Sequence, residues 1–145
     1  MHMGEANALL VGRKISKEFG YGKKKVVAVN QVDFDFHESE IISIVGESGS
    51  GKTTLAKVIL GLLRQSDGWI QYRGKPRDLS SHDKRRKYWK DIQAIFQDPF
   101  SSFNQFYRVE RLLLDCIKLM KVDLSREEEE MKMREACNFV NLKFN

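Results

Sequence analysis

Gly46, Gly51, Lys52 and Thr53 stand in the spacing G-x-x-x-x-G-K-[ST]. That spacing suits one chemistry. A triphosphate concentrates negative charge, and consecutive backbone N–H groups must wrap round it. Glycines let the chain come that close and take φ > 0. The run Gly46, Glu47, Ser48, Gly49, Ser50, Gly51, Lys52, Thr53 and Thr54 is therefore a candidate nucleotide cradle. A helix opening at the loop would turn its positive end on the phosphates. Lys52 is expected to reach the β and γ phosphates, and the Thr53 hydroxyl to ligate Mg²⁺.

Such a loop needs a strand before it and a helix after it. "EIISIVG" (40–46) is apolar without alternation, which predicts a strand buried on both faces, as in a parallel sheet. Leu55, Val58, Ile59, Leu62 and Leu63 then recur at helical spacing. Upstream, Leu9 to Lys17 reads as a first strand and "GYGKKK" (20–25) as a turn-rich loop. Val32, Phe34 and Phe36 alternate with Asp33 and Asp35, as in a half-buried antiparallel strand. "WIQY" (69–72), bracketed by "SDG" and "RGK", is expected in a short hairpin. Ser80 or Ser81 can cap a basic helix through Lys90, and "DIQAIFQ" (91–97) reads as another strand. After a loop over 98–106, Val109, Leu112, Leu113, Cys116, Ile117 and Met120 predict an amphipathic helix. Ser125 and Glu128 form a capping box for a further helix. Its apolar face holds Met133, Ala136, Cys137 and Val140, and Asn141 suits the left-handed position that ends it.

The chain has 145 residues, 41% hydrophobic and 31% charged, values of a globular rather than a disordered protein. No apolar run approaches the roughly 20 residues of a membrane-spanning helix, and "MHMGEANALL" holds no signal-peptide core. Met1 and His2 read as an extension before Met3. The net charge is +5, with clusters at "GKKK" (22–25) and "DKRRKYWK" (83–90). No stacking aromatics alternate with these clusters, so they read as a solvated loop and helix face, with no nucleic-acid partner. Cys116 and Cys137 lie on apolar stripes without metal spacing and are expected to be reduced core residues.

"AIFQDPFSSFN" (94–104) downstream, and an antiparallel strand pair with an aromatic before its linking loop upstream, together resemble the ATP-binding cassette of ABC transporters. The resemblance runs from about Leu9 to Leu142. It implies an α/β fold: a P-loop NTPase core of RecA type, with an N-terminal antiparallel β region (about 8–36), the P-loop core to the Q-loop (40–97) and the start of the helical subdomain (98–145). It implies ATP and Mg²⁺ as cofactors. Phe19 would stack on adenine, with Tyr21 as the alternative, and Gln97 would be the Q-loop glutamine that contacts Mg²⁺ and the attacking water. "QDPFSSFN" looks most like the ATPase subunits of oligopeptide and dipeptide importers, whose cousins carry nickel or oligosaccharides. Ser39 and Gln105 depart from that subgroup, standing where glycine and proline are common. The implied partners are transmembrane permease subunits and a second ATPase subunit, identical or different, at the cytoplasmic face of the membrane.

No glutamate follows an aspartate at the end of an apolar run, so no general base is found. A glycine-rich "LSGGQ" signature and a switch histidine are also absent; His2, His37 and His82 lie in other contexts. The chain is therefore expected to be the N-terminal part of a cassette, inactive alone, with apolar strands left without neighbours and a marginal, association-prone fold. A non-transport ABC ATPase of DNA repair or translation, and a non-catalytic nucleotide-binding truncation, are the alternative readings.

Overall fold

In the computed structural model, the described residues are 8–98, 106–119 and 124–144. Two compact units divide the chain between Ala94 and Ile95. In the first, strands β1 (Ala8–Phe19) and β2 (Val26–His37) form a long antiparallel pair. β3 (Asp67–Tyr72) joins the other edge of β1, and the short β4 (Lys75–Pro76) closes a hairpin on β3. The sheet order is thus β2-β1-β3-β4. The alternation expected in β2 is present: Val32, Phe34 and Phe36 pack towards the core. Asp33 and Asp35 face the other way, where Asp35 pairs with Arg13 at 2.8 Å.

Both long strands are irregular near Ile15. Lys14 and Gln31 take left-handed φ values of 50° and 49°. Amides that such irregularities take out of the ladder need other partners. The Lys14 N–H donates to Asp33 Oδ1 at 2.6 Å, and the Gln31 N–H to Ser16 Oγ at 3.0 Å. These bends help bury Ile15 completely, beside Leu10, Val29 and Ile70.

Helix α1 (Lys52–Ile59) lays Leu55 and the fully buried Val58 on this sheet. It is shorter than its apolar spacing predicts. Gly61 takes φ 73° just past the helix end, and the N–H groups of Leu62 and Gly61 return to the carbonyls of Lys57 and Val58 at 2.9 and 3.0 Å. This is a Schellman ending. Leu62 therefore lies outside the helix, and it is exposed. Helix α2 (His82–Asp91) starts on Ser81, whose hydroxyl accepts from the Lys84 N–H at 3.2 Å, and not on Ser80. α2 and its approach cap the end of α1. Arg77 donates to the Val58 and Ile59 carbonyls, the Tyr88 hydroxyl to Ile59, and the Trp89 indole N–H to Leu60. A cation and two neutral donors thus meet the negative end of the helix dipole.

Two expected strands do not form. Residues 40–46 have no strand pairing, and Ile41 and Val45 are 98% and 90% exposed. After α2, residues 92–96 are likewise irregular, with Ile95 and Phe96 exposed. A strand is held by ladder bonds to a neighbour, and an unladdered backbone keeps its hydrogen bonds with water. Among the described residues no neighbour flanks either segment, so the only sheet is antiparallel.

In the second unit, α3 (Val109–Leu119) and α4 (Arg126–Phe139) bury Ile117 and Met133 respectively. Leu112 and Leu113 are half-buried and Val109 is exposed. Cys116 is exposed and Cys137 half-buried, which corrects the expectation that both sit in a core; Ala136 and Val140 are exposed too. Each helix has little to cover its apolar stripe among the described residues. Met120 and residues 99–105, which hold all of "DPFSSFN" (98–104) but Asp98 together with Gln105, lie outside those residues, as do Met1, His2 and Met3.

The ends of α4 follow the sequence closely. The Ser125 hydroxyl accepts from the Glu128 N–H, and Glu128 accepts from the Ser125 N–H at 2.8 Å. Asn141 takes φ 57°, and the N–H groups of Asn141 and Leu142 return to Asn138 and Cys137. The Ser125 amide holds the Glu128 carboxyl below its ordinary value of 4.5. A lowered folded pKa gives stability that is present above the unfolded value and lost as pH falls through the folded one. Helical ellipticity is therefore expected to fall on acidification below the ordinary carboxylate range. Glu128→Gln keeps an acceptor but cannot titrate, so it should remove part of that loss. An unchanged acid transition in the variant would deny the box a role in it.

Candidate functional site

The loop of residues 46–51 leads straight into α1, and its shape depends on one residue. Gly51 has φ 90°, and a Cβ there would lie 2.1 Å from the Ala28 carbonyl oxygen of β2. Only glycine lets the chain pass so near β2 in that conformation. The Ser50 N–H closes a turn on the Glu47 carbonyl at 3.2 Å, and the Leu55 N–H makes the first helical bond, to Gly51.

No side chain caps this N-terminus and no acid stands in the first turn. The leading amides of α1 therefore have no side-chain cap, and no carboxylate of the first turn offsets the positive end of the helix. A cleft of about 330 Å³ opens in front of them, lined by Ser48, Gly49, Gly51, Lys52, Thr53 and Thr54, with Ala28 of β2 as its side wall. Ala28 is absent from the sequence prediction. Nothing in its residue type or spacing marks it, since its place is set by strand pairing.

Lys52 lies across the loop. Its ammonium donates to the Gly46 and Glu47 carbonyls at 2.7 and 2.6 Å and to Ser50 Oγ at 3.3 Å. It is thus held over the loop by groups that phosphate oxygens can replace. Ser39 has φ 60°, the left-handed region in which glycine costs least. The nearby Glu40 carboxylate accepts from the His37 N–H at 3.0 Å, and that amide is the main cause of its lowered pKa.

Phe19 ends β1 opposite Val26. Its ring is 42% exposed, with the Lys17 ammonium 5.1 Å from the ring centroid. Tyr21, in the following loop, is almost fully exposed. Both rings are on the surface of the first unit. Gln97 belongs to the second unit, where it sits exposed at a bend. A hydroxyl such as that of Thr53 and an amide oxygen such as that of Gln97 are hard donors of the kind Mg²⁺ accepts.

Among curated proteins, the oligopeptide transport ATP-binding protein OppF of Lactococcus lactis is 37% identical over 118 residues, 81% of this chain and 36% of the relative. OppF of Streptococcus pyogenes is 42% identical over 115 residues, 79% of this chain and 37% of the relative. The chain thus spans little more than a third of the length of these relatives. Among solved structures, a dimeric ATP-binding cassette in a post-hydrolysis state, bound to ADP and Pi, superposes with a TM-score of 0.71 at 24% identity. That match takes in 92% of this chain and 58% of the other, and shows a cassette fold. The family model described as "ABC transporter" matches residues 29–144, spanning both the glycine loop and Gln97. With a cassette fold, a glycine loop at an open helix end and that match over most of its length, the chain belongs to the ABC transporter family.

Proposed function

We propose that this chain is the nucleotide-binding portion of an ABC importer ATPase and takes ATP with Mg²⁺ at residues 46–54. The observation that carries the reading is the uncapped start of α1 behind a glycine loop, with Lys52 held across it by replaceable carbonyls. In this reading the amides of the loop and first helical turn bind the β and γ phosphates. Lys52 exchanges its carbonyl partners for phosphate oxygens. The Thr53 hydroxyl and the Gln97 amide oxygen serve as Mg²⁺ ligands. Phe19, or Tyr21, stacks on adenine. The metal, when bound, neutralises charge on the phosphates. The names of the relatives support oligopeptides or related solutes as the cargo. Permease subunits and a second ATPase subunit, at the cytoplasmic face of the membrane, are the proposed partners. No described helix is long and apolar enough to cross a membrane.

The 145 residues contain no Asp-Glu pair after an apolar run to act as general base, and no "LSGGQ". Positioned bases and electrostatic clamps supply most of the rate in phosphoryl transfer. Binding without turnover is the expected behaviour of this chain alone. A ligand that binds only the folded form stabilises it by about 2.7 kcal/mol at a hundredfold excess over Kd. Mg-ATP should therefore raise the melting temperature by several degrees, and Lys52→Ala should abolish the shift. A melt that ignores Mg-ATP would remove the nucleotide reading for this chain. Phosphate release that disappears in Lys52→Ala would instead overturn the inactivity.

A further inference from the structure

Residues 61–91 carry nine Lys or Arg against four Asp, an excess equal to the whole chain's net charge of +5. Much of this charge converges on a cleft of about 470 Å³ between the β3–β4 hairpin and α2. The cleft shares no lining residue with the glycine loop. Tyr72 and Tyr88 both line it, their rings edge to face at 5.5 Å. Five cationic side chains, two carboxylates and Pro76 complete the lining.

The cations are unequally satisfied. Lys84 is paired with Asp78, and Arg77 is committed to the carbonyls that end α1. Asp91 accepts from the Tyr72 hydroxyl at 3.0 Å. Arg73 lies over the Tyr72 ring at 5.3 Å. Lys75 and Lys87 line the cleft without an ion pair or side-chain hydrogen bond among the described residues. Two unpaired ammonium groups and a guanidinium exceed what one carboxylate can neutralise. A phosphate ester, at about −1.5 to −2 with three acceptor oxygens, fits them better. The volume is that of a small-molecule site.

We infer that the cleft between β4 and α2 is a second anion site, which takes a phosphate-bearing ligand between Lys75, Lys87 and Arg73. It is independent of the nucleotide reading. Two sources carry such a monoester: a free phosphorylated metabolite and the headgroup of phosphatidic acid. Inorganic pyrophosphate is the probe, titrated into the uniformly ¹⁵N-labelled full chain while amide shifts are followed. Shifts at residues 72–78 and 84–91 are expected, as well as any at 46–54. The double variant Lys75→Gln/Lys87→Gln removes no contact that holds the fold. It should weaken binding at the first set of amides by about tenfold or more and leave the glycine-loop amides unaffected. Shifts confined to residues 46–54, or an undiminished response in the double variant, would overturn the site. Flotation with phosphatidylcholine vesicles, with and without phosphatidic acid, then separates the sources. Capture by the anionic vesicles that is lost in the double variant supports a headgroup; pyrophosphate binding without capture supports a free metabolite.

Discussion

Gly51→Ala is expected to destabilise the first unit by more than about 2 kcal/mol and to abolish stabilisation by Mg-ATP. Two effects add. The residue has φ 90°, a region that costs a residue with a Cβ roughly 1–2 kcal/mol. The new methyl group would also lie 2.1 Å from the Ala28 carbonyl oxygen, which is backbone in a paired strand and cannot swing away. Either β2 shifts or the start of α1 moves off the sheet, and the cleft walled by Ala28 loses its shape. Gly49→Ala separates the two effects. Gly49 has φ 83° but open space where a Cβ would stand. It should cost only about 1 kcal/mol. Thermal melts of both variants, with and without Mg-ATP, make the comparison. Equal losses would mean that the approach to β2 is looser in solution than the structure has it.

Ile15→Ala should cost about 3–4 kcal/mol, as a large-to-small change at a site with no room to collapse. Ile15 is fully buried on the central strand, packed with residues of β2, β3 and α1. A loss of that size is a large share of the 5–15 kcal/mol typical of a folded domain. Ile41→Ala is the informative control. Its sequence context, "EIISIVG", is the most apolar strand-like run in the chain, yet the side chain is 98% exposed. Its removal should change stability by less than about 0.5 kcal/mol. Urea midpoints of the two variants give the test. A comparable loss at Ile41 would show that residues 40–46 pack in solution, against another copy or another chain. That outcome would bear out the association expected from the sequence.

Features settled within a few residues were legible. The glycine-loop spacing is local, because the turn into α1 is made by residues next to one another in the chain. The alternation in β2 is local too, since successive side chains of a strand face opposite ways. So are the serine caps and the left-handed Asn141, each of which satisfies amides or carbonyls three to five residues away. The helical spacing after the cradle misled at its end. Apolar period carried α1 to Leu63, while Gly61 had already turned the chain back on Lys57 and Val58.

By itself the sequence determined the glycine loop at the start of α1, the family, the antiparallel pair and most of the helix termini. The tertiary structure decided what covers what. It placed Arg77, Tyr88 and Trp89 on the last carbonyls of α1, across 18 to 29 residues that no spacing rule connects. It bent β1 and β2 around Ile15, made Ala28 the wall of the cleft, and gathered unpaired lysines from β4 and α2. It also left 40–46 and 92–96 without a ladder, and the two cysteine stripes largely uncovered. The physical reason is the same throughout. Apolar composition says that a segment gains by burial, but burial and ladder bonds are properties of a pair, and only the folded chain shows whether the second member is there.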